Sequence, residues 1–160
     1  MCLFCISFEA SLVWDRSPPY AIMNIHSIYI VYSIITFTGG IPIKLVYASR
    51  TGNVKKAADR LMAEGPVRIL TGTETVNEDY ILLTYTDGRG AIPAIVDLFL
   101  QSSAAFCRGA AVFGNSDRHP DTFCGAADQI EAKYRIPIIG RMEYDGDPDT
   151  EMEIKALLRQ

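Results

Sequence analysis

From residue 43 onward the sequence predicts an α/β fold, a doubly wound, five-stranded parallel sheet with helices on both faces. Short apolar runs alternate with amphipathic segments, and the connections are short, as expected for a sheet covered by helices. The chain has 160 residues, 49% hydrophobic and 21% charged, which suits a single core. We therefore expect one domain over residues 43–160, preceded by an extension over residues 1–42.

The first half of this domain contains three predicted strands. Residues 43–48 form an apolar, β-branched run that is typical of a buried parallel strand. The helix that follows has apolar residues at helical spacing and ends at Gly65 and Pro66. Its apolar face comprises Val54, Ala57, Ala58, Leu61 and Met62. Residues 67–70 and, after a polar loop, residues 80–85 are the second and third strands.

The second half continues the alternation. A helix starts near Ala91 with Pro93 in its first turn, where a missing N–H costs nothing. Residues 109–114 form the fourth strand, and Asp121 is expected to cap the third helix. Residues 136–144 form a fifth strand, and Asp147 and Pro148 open a last helix.

Composition and charge exclude some function classes. The net charge of −4 argues against a nucleic-acid-binding protein, which needs a basic surface to neutralise phosphates. The four cysteines do not form the framework of a small secreted fold, and the Cys2/Cys5 pair has no second pair nearby to complete a metal site. We expect a reducing, cytoplasmic location and no metal site.

The extension over residues 1–42 differs from the rest of the chain. Residues 17–43 contain no Asp, Glu, Lys or Arg. A membrane anchor needs about 20 apolar residues, but polar residues such as Asn24 and His26 interrupt this run. A signal peptide fits less well, because Glu9 and Asp15 precede the apolar run. We expect a poorly structured extension, consistent with an upstream start assigned to the gene.

Ligands of doubly wound sheets bind beyond the carboxyl ends of the strands, where the strand order reverses. The loops after strands one, three and four are therefore the candidates. The first loop, residues 49–54, offers hydroxyls, a glycine and the N-terminus of a helix, which together suit a phosphate. It lacks the lysine of a nucleoside-triphosphate loop, so a monophosphate is expected. The alternative is an ordinary capped helix start.

The other two loops have residues that suit a planar ligand. Residues 84–91 combine an aromatic ring, two threonines and two glycines, and glycine lets the backbone approach a ligand or flip a peptide. The alternative is a solvent-exposed turn. Residues 114–124 form the third loop, whose amides can face the edge of a ring. His119 in this loop is expected to be exposed without a role, and Cys124 to be a small buried residue.

Four motifs occur in order, S-R-T-G-N-V, T-Y-T-x-x-x-G-x-x-P, G-N-x(5)-D-T-F-C-G-A-A-D and K-Y-x-I-P-I. Together they resemble the NrdI family of flavodoxin-like proteins over residues 43–149. The resemblance implies noncovalently bound FMN and a partnership with the small subunit of class Ib, manganese-dependent ribonucleotide reductase. A flavin reductase or another electron donor would reduce the FMN. Its reaction with oxygen would supply the oxidant that assembles the dimanganese tyrosyl-radical cofactor.

The resemblance also implies the residues of the site, with no catalytic side chain, because the flavin carries out the chemistry. The phosphate would be bound chiefly through backbone amides by Ser49, Arg50, Thr51, Gly52, Asn53 and Val54. Second-loop residues would border the isoalloxazine: Thr84, Tyr85, Thr86, Gly88 and Gly90. Of these, the two glycines would lie near the reactive edge of the flavin. Asn115 and Phe123 would close the other side.

Two other functions are compatible with this fold. A general electron-transfer flavodoxin would use the same cofactor with different partners. A receiver-like signalling module would need an acidic cluster at the strand ends for Mg²⁺ and an aspartyl phosphate, for which Asp87 alone is a poor substitute.

Overall fold

The structure is a computed structural model that describes residues 43–61 and 63–159. The predictions for residues 1–42, including the Cys2/Cys5 pair, and for Met62 lie outside these residues. Five parallel strands form one sheet in the order β2-β1-β3-β4-β5. They are β1 (Lys44–Tyr47), β2 (Val67–Arg68), β3 (Tyr80–Tyr85), β4 (Cys107–Gly114) and β5 (Ile138–Glu143). The predicted parallel sheet is confirmed.

Helices cover both faces of this sheet. They are α1 (Asn53–Leu61), α2 (Ala94–Ser103), α3 (Gly125–Tyr134) and α4 (Pro148–Leu157), with short 3₁₀ turns at Ala104–Phe106 and Pro120–Thr122. On one face α2 and α3 bury Phe99 and Ile130 against β3 and β4. On the other face α1 and α4 bury Leu61 and Ile154. The fold is therefore doubly wound, as predicted.

The strand order places the ligand-binding edge. From β1 the chain moves outward to β2, returns to β3 on the other side of β1, and continues to β4 and β5. The order therefore reverses between β1 and β3, where doubly wound folds bind ligands. The loops after β1 and β3 lie side by side there, and the loop after β4 lies next to them.

The polar loop predicted between β2 and β3 is confirmed, but β2 ends at Arg68 rather than at residue 70. No helix occurs among residues 69–79, all of which the structure describes. Ile69 and Val76 are nonetheless buried against the sheet. The carboxylate of Glu74 fixes the turn between them, because it accepts the backbone N–H groups of residues 70, 71 and 72 at 2.8–2.9 Å. The Glu74 carboxylate thus takes the place of the backbone carbonyls that would accept these N–H groups in regular secondary structure.

Two helix starts were also predicted wrongly. Helix α2 begins at Ala94 with Pro93 as its N-cap, because Ala91 instead pairs with Asp87 in an isolated antiparallel bridge. Helix α3 begins at Gly125, and Asp121 lies in the preceding 3₁₀ turn rather than capping the helix. The last helix follows the prediction, since the Asp147 side chain accepts the Thr150 N–H.

Among the residues that the structure describes, no helix has the length and apolar character needed to span a membrane.

Candidate functional site

A cleft of about 630 Å³ opens at the carboxyl edge of the sheet. Residues of all three predicted loops line it, together with side chains from the ends of β4 and β5. Four aromatic rings contribute to its walls: Tyr85, Phe113, Phe123 and Tyr144. Its size is within the usual range of small-molecule sites, about 300–1,000 Å³.

The first loop brings the N-terminus of α1 to the cleft. Asn53 and Val54 line it and are the first two helical residues, so their N–H groups have no acceptor within the helix. The side chain of Val54 is buried in the core, which leaves its backbone as the group that faces the cleft. These amides and the positive end of the helix dipole suit an anion.

Ser49 organises this loop. Its Oγ accepts the N–H of Gly52 at 3.2 Å and the N–H of Lys55 at 3.3 Å. Gly52 has φ +93, which L side chains rarely adopt. Both residues therefore shape the turn that leads into α1.

The second loop places a threonine and a tyrosine at the cleft. Thr86 lines it, and its Oγ1 is buried without a hydrogen-bond partner among the described residues. A buried hydroxyl without a partner lowers the free energy of unfolding by roughly 1–3 kcal/mol. Tyr85 is half-buried, and burial, assisted by the nearby Asp87 carboxylate, raises the pKa of its phenol. Tyr85 is therefore neutral at physiological pH.

The rest of the second loop is a closed turn. Asp87 and Ala91 exchange two backbone hydrogen bonds, Asp87 N to Ala91 O at 2.9 Å and Ala91 N to Asp87 O at 2.8 Å. Gly88 and Gly90 lie between them with φ +48 and +87. Gly88 lines the cleft, and a Cβ built on it would meet no atom within 4 Å.

The third loop is held by its own polar groups. The Asn115 side-chain Oδ1 accepts the Arg118 N–H at 2.8 Å, and the Asn115 backbone carbonyl accepts the His119 N–H at 3.0 Å. Phe123 packs against Gly114 so closely that a Cβ on Gly114 would lie 2.8 Å from the Phe123 ring. The loop therefore presents Asn115 and Phe123 to the cleft.

Cys124 anchors the end of this loop. It is fully buried, and its Sγ donates to the Val112 carbonyl at 3.1 Å. Burial raises the pKa of its thiol to about 11, so the thiol stays protonated at neutral pH. Burial likewise raises the pKa of the Cys107 thiol to about 11. The expectation that both are small buried residues is confirmed.

The charged side chains at the cleft are of both signs, so the N-terminus of α1 is the main attraction for an anion. Arg50 and Arg118 line the cleft with a single carboxylate, that of Asp117, although the chain as a whole carries −4. The Arg50 guanidinium pairs with Asp87 of the second loop and lies 5.3 Å from the centroid of the Tyr85 ring. The Arg50 side chain thus turns towards the second loop.

Nine of the predicted site residues line one cleft. They are Arg50, Thr51, Asn53, Val54, Tyr85, Thr86, Gly88, Asn115 and Phe123. Four predicted residues do not line it. Two are Ser49 and Gly52, which fix the turn of the first loop without lining the cleft. The other two are Thr84, fully buried in β3, and Gly90.

Gly90 has a packing role. A Cβ built on Gly125 would lie 3.0 Å from the Gly90 Cα, and the Gly90 carbonyl accepts from Gln129 Nε2 at 2.9 Å. The two glycines let the second loop contact the start of α3 through backbone alone. Gly90 therefore positions the second loop from outside the cleft.

Tyr144 is the main residue that sequence reasoning missed. It follows β5 directly, lines the cleft and is 49% exposed. The rule that selects the carboxyl ends of strands applies to β5 as well, so the signal was present in the sequence. The predicted site also omits other residues that line the cleft at the end of β4 and in the third loop: Phe113, Gly114, Asp117, Arg118, His119, Thr122 and Cys124.

Comparison with known proteins identifies the family of this chain. The family model described as NrdI flavodoxin-like matches residues 45–156. The chain belongs to this family. Protein NrdI of Bacillus licheniformis is 34% identical over 104 residues, which cover 65% of this chain and 78% of that protein. Protein NrdI of Deinococcus radiodurans is 37% identical over 107 residues, covering 65% and 74%.

A solved structure supports the fold of this NrdI-family chain. A short-chain flavodoxin associated with a bacterial microcompartment superposes with a TM-score of 0.53 over 72% of this chain and 93% of that one. At 14% identity, the similarity concerns the fold alone.

Proposed function

We propose that the cleft binds FMN and that the chain is a redox accessory protein of class Ib ribonucleotide reductase. The observation that carries the proposal is that the three loops expected to bind FMN line a single cleft in a chain of the NrdI family. The chain would then act through its flavin on a partner protein, rather than as an enzyme that turns over a small substrate.

The residues of the cleft fit the chemical groups of FMN. A phosphate suits the N–H groups of Asn53 and Val54 at the start of α1. The unpartnered Thr86 hydroxyl fits a ligand with polar edges, since a bound hydrogen-bonding group would satisfy it. Tyr85 and Phe123 offer apolar surface to a planar ring.

Bound FMN would supply one- and two-electron chemistry, including reaction with oxygen. The protein's own contribution is binding, orientation and electrostatics. The α1 N-terminus and Arg118 attract the anionic ligand, while the aromatic walls exclude water from the ring. With their thiols protonated and buried, Cys107 and Cys124 serve as packing residues.

The proposed partner is the manganese-loaded small subunit of class Ib ribonucleotide reductase, and a flavin reductase or similar donor would reduce the FMN. The support is the family: the chain is 30–37% identical to proteins named NrdI. Deoxyribonucleotide synthesis would place the protein in the cytoplasm.

The first experiment is a visible absorption spectrum of the purified full chain, followed by heat release and identification of any chromophore. If the protein is colourless, titration with FMN and with riboflavin, which lacks the phosphate, separates ring binding from phosphate binding. We expect FMN to bind much more tightly than riboflavin. A protein that binds neither would contradict the proposal, and acetyl-phosphate labelling of Asp87 would then favour a receiver-like module.

The second experiment tests the partner. The FMN-loaded chain, a reductant and oxygen are added to a manganese-loaded class Ib small subunit, and the tyrosyl radical is quantified. We expect radical formation to depend on the chain. A protein that cycles with a reductase but leaves the radical yield unchanged would be a general electron-transfer flavodoxin instead.

A further inference from the structure

The first and second loops are joined by Arg50 and Asp87. The Arg50 Nη1 pairs with the Asp87 Oδ1, and the guanidinium also covers the Tyr85 ring. The side chain of Arg50 is 60% exposed and that of Asp87 is 40% exposed. This contact lies at the switch point between β1 and β3, beside the cleft.

The Asp87 oxygen that meets Arg50 has a second donor. Its Oδ1 also accepts the N–H of Gly88 at 2.9 Å. The carbonyl of the same Asp87–Gly88 peptide accepts the Ala91 N–H at 2.8 Å. Both ends of that peptide are thus hydrogen-bonded, one of them by a carboxylate that Arg50 orients.

The other end of the turn is held independently. The Gly90 carbonyl accepts from Gln129 of α3, and the Ala91 N–H belongs to the bridge with Asp87. The hydrogen bond from the Gly88 N–H to the Asp87 carboxylate therefore depends on the first loop, because Arg50 of that loop orients the carboxylate. Since Gly88 lines the cleft and has open space around it, the orientation of this peptide shapes the cleft wall.

We propose that Arg50 and Asp87 are a positioning pair that holds the Asp87–Gly88 peptide in one orientation at the cleft and thereby slows the escape of bound FMN. Neither residue needs to act as a ligand of the flavin. The inference rests on the proposed function, because it presumes that FMN occupies the cleft. It changes the role expected for Arg50, whose side chain would serve the ring end of the site rather than the phosphate.

The effect should be modest and sensitive to salt. Exposed ion pairs shift an equilibrium by up to about fivefold at low ionic strength. The Debye length falls from about 10 Å at 0.1 M salt to about 3 Å at 1 M, so high salt should remove most of this contribution.

The test measures the FMN dissociation rate of the full chain at low and high salt. Arg50→Met removes the charge but keeps an unbranched side chain over Tyr85, and Asp87→Asn keeps an acceptor for the Gly88 N–H. We expect each substitution to raise the FMN dissociation rate about two- to fivefold at low salt. The double variant should release FMN no faster than either single variant. Arg50→Lys should release FMN at close to the wild-type rate, because it keeps the positive charge. At 1 M salt the wild type should approach the variants.

Arg108→Met is the matched control. Arg108 pairs with Asp79 at the opposite edge of the sheet, with exposures of 55% and 36% that resemble those of Arg50 and Asp87. We expect it to leave FMN dissociation unchanged. Additive effects of Arg50→Met and Asp87→Asn, or an Arg50→Met effect that persists at 1 M salt, would overturn the positioning role.

Hydrogen exchange of the ligand-free chain separates this inference from the proposed function. If the pair orders the turn, the Gly88 amide exchanges faster in Arg50→Met than in the wild type or Arg108→Met. A wild type that binds no FMN refutes the proposed function, whereas a wild type that binds FMN but shows no change of Gly88 exchange in Arg50→Met refutes the positioning pair alone.

Discussion

Replacing Thr86 with valine should have opposite effects on the ligand-free and the FMN-bound protein. The Thr86 Oγ1 is buried and has no hydrogen-bond partner among the described residues. Valine has nearly the same shape without the hydroxyl. Removing an unsatisfied buried polar group recovers part of its cost, which is roughly 1–3 kcal/mol. We therefore expect the ligand-free variant to be more stable by about 1 kcal/mol, a rise in Tm of a few degrees.

The same substitution should weaken FMN binding. If the hydroxyl gains a partner when FMN binds, its loss removes a net contribution of about 0.5–1.5 kcal/mol, or roughly a two- to tenfold loss of affinity. Thermal unfolding of the ligand-free protein and fluorescence titration with FMN measure the two effects separately.

Thr84→Val is the control for Thr86→Val. Thr84 is fully buried in β3, does not line the cleft, and donates only a long 3.5 Å hydrogen bond to the Tyr85 carbonyl. We expect it to leave FMN affinity unchanged. A Thr86→Val variant that is less stable without ligand and binds FMN with unchanged affinity would show that the Thr86 hydroxyl is satisfied in the ligand-free protein and does not contact FMN.

Three further predictions concern the supports of the site and the domain boundary. Burial raises the pKa of Glu74, but amides of residues 71 and 70 donate to its carboxylate and lower that pKa from 4.5 to about 2. Because the folded pKa is depressed, Glu74→Gln should lower Tm at pH 7, and the difference should vanish in unfolding curves as pH falls from about 4.5 towards 2. Gly114→Ala should destabilise the protein by about 1–3 kcal/mol in denaturant titrations and weaken FMN binding. The reason is that the new Cβ would lie 2.8 Å from the Phe123 ring and 3.0 Å from the Cys124 Sγ. An unchanged free energy of unfolding would show that the third loop moves to accommodate a methyl group. A fragment that starts at Ile43 should fold and bind FMN as the full chain does, and loss of the cofactor from the fragment alone would assign residues 1–42 to the flavin domain.

The sequence predicted the sheet well because buried parallel strands have a local signature. Residues 80–85 form a continuous apolar and β-branched run, and the strand occupies those residues. The element boundaries that failed depend on hydrogen bonds within turns, which the apolar pattern of the sequence does not encode. Ala91 is kept out of α2 by its bridge to Asp87, and β2 stops at Arg68, because the N–H groups of Leu70 and Thr71 donate to the Glu74 carboxylate.

The candidate site could be predicted to the level of loops but not of side-chain direction. The switch-point rule identified the loops that line the cleft, and nine predicted residues do so. Thr84 and Thr86 look equivalent in the sequence, yet one is enclosed by the sheet and the other faces the cleft. The two-residue period of a strand would put both side chains on the same face, so the end of β3 at Tyr85 and the turn that follows decide between them.

The backbone contact between Gly90 and Gly125 limits how the family's loops can diverge in this chain. A Cβ at position 125 would press on the Gly90 Cα and carbonyl at 3.0 and 3.1 Å, so a side chain at 125 has to be matched by a displacement at 90. Pro120 and Asp121, by contrast, are exposed and do not line the cleft. Insertions are therefore best placed at those two residues, while Gly90 and Gly125 hold the second loop against α3 so that the cleft keeps its shape.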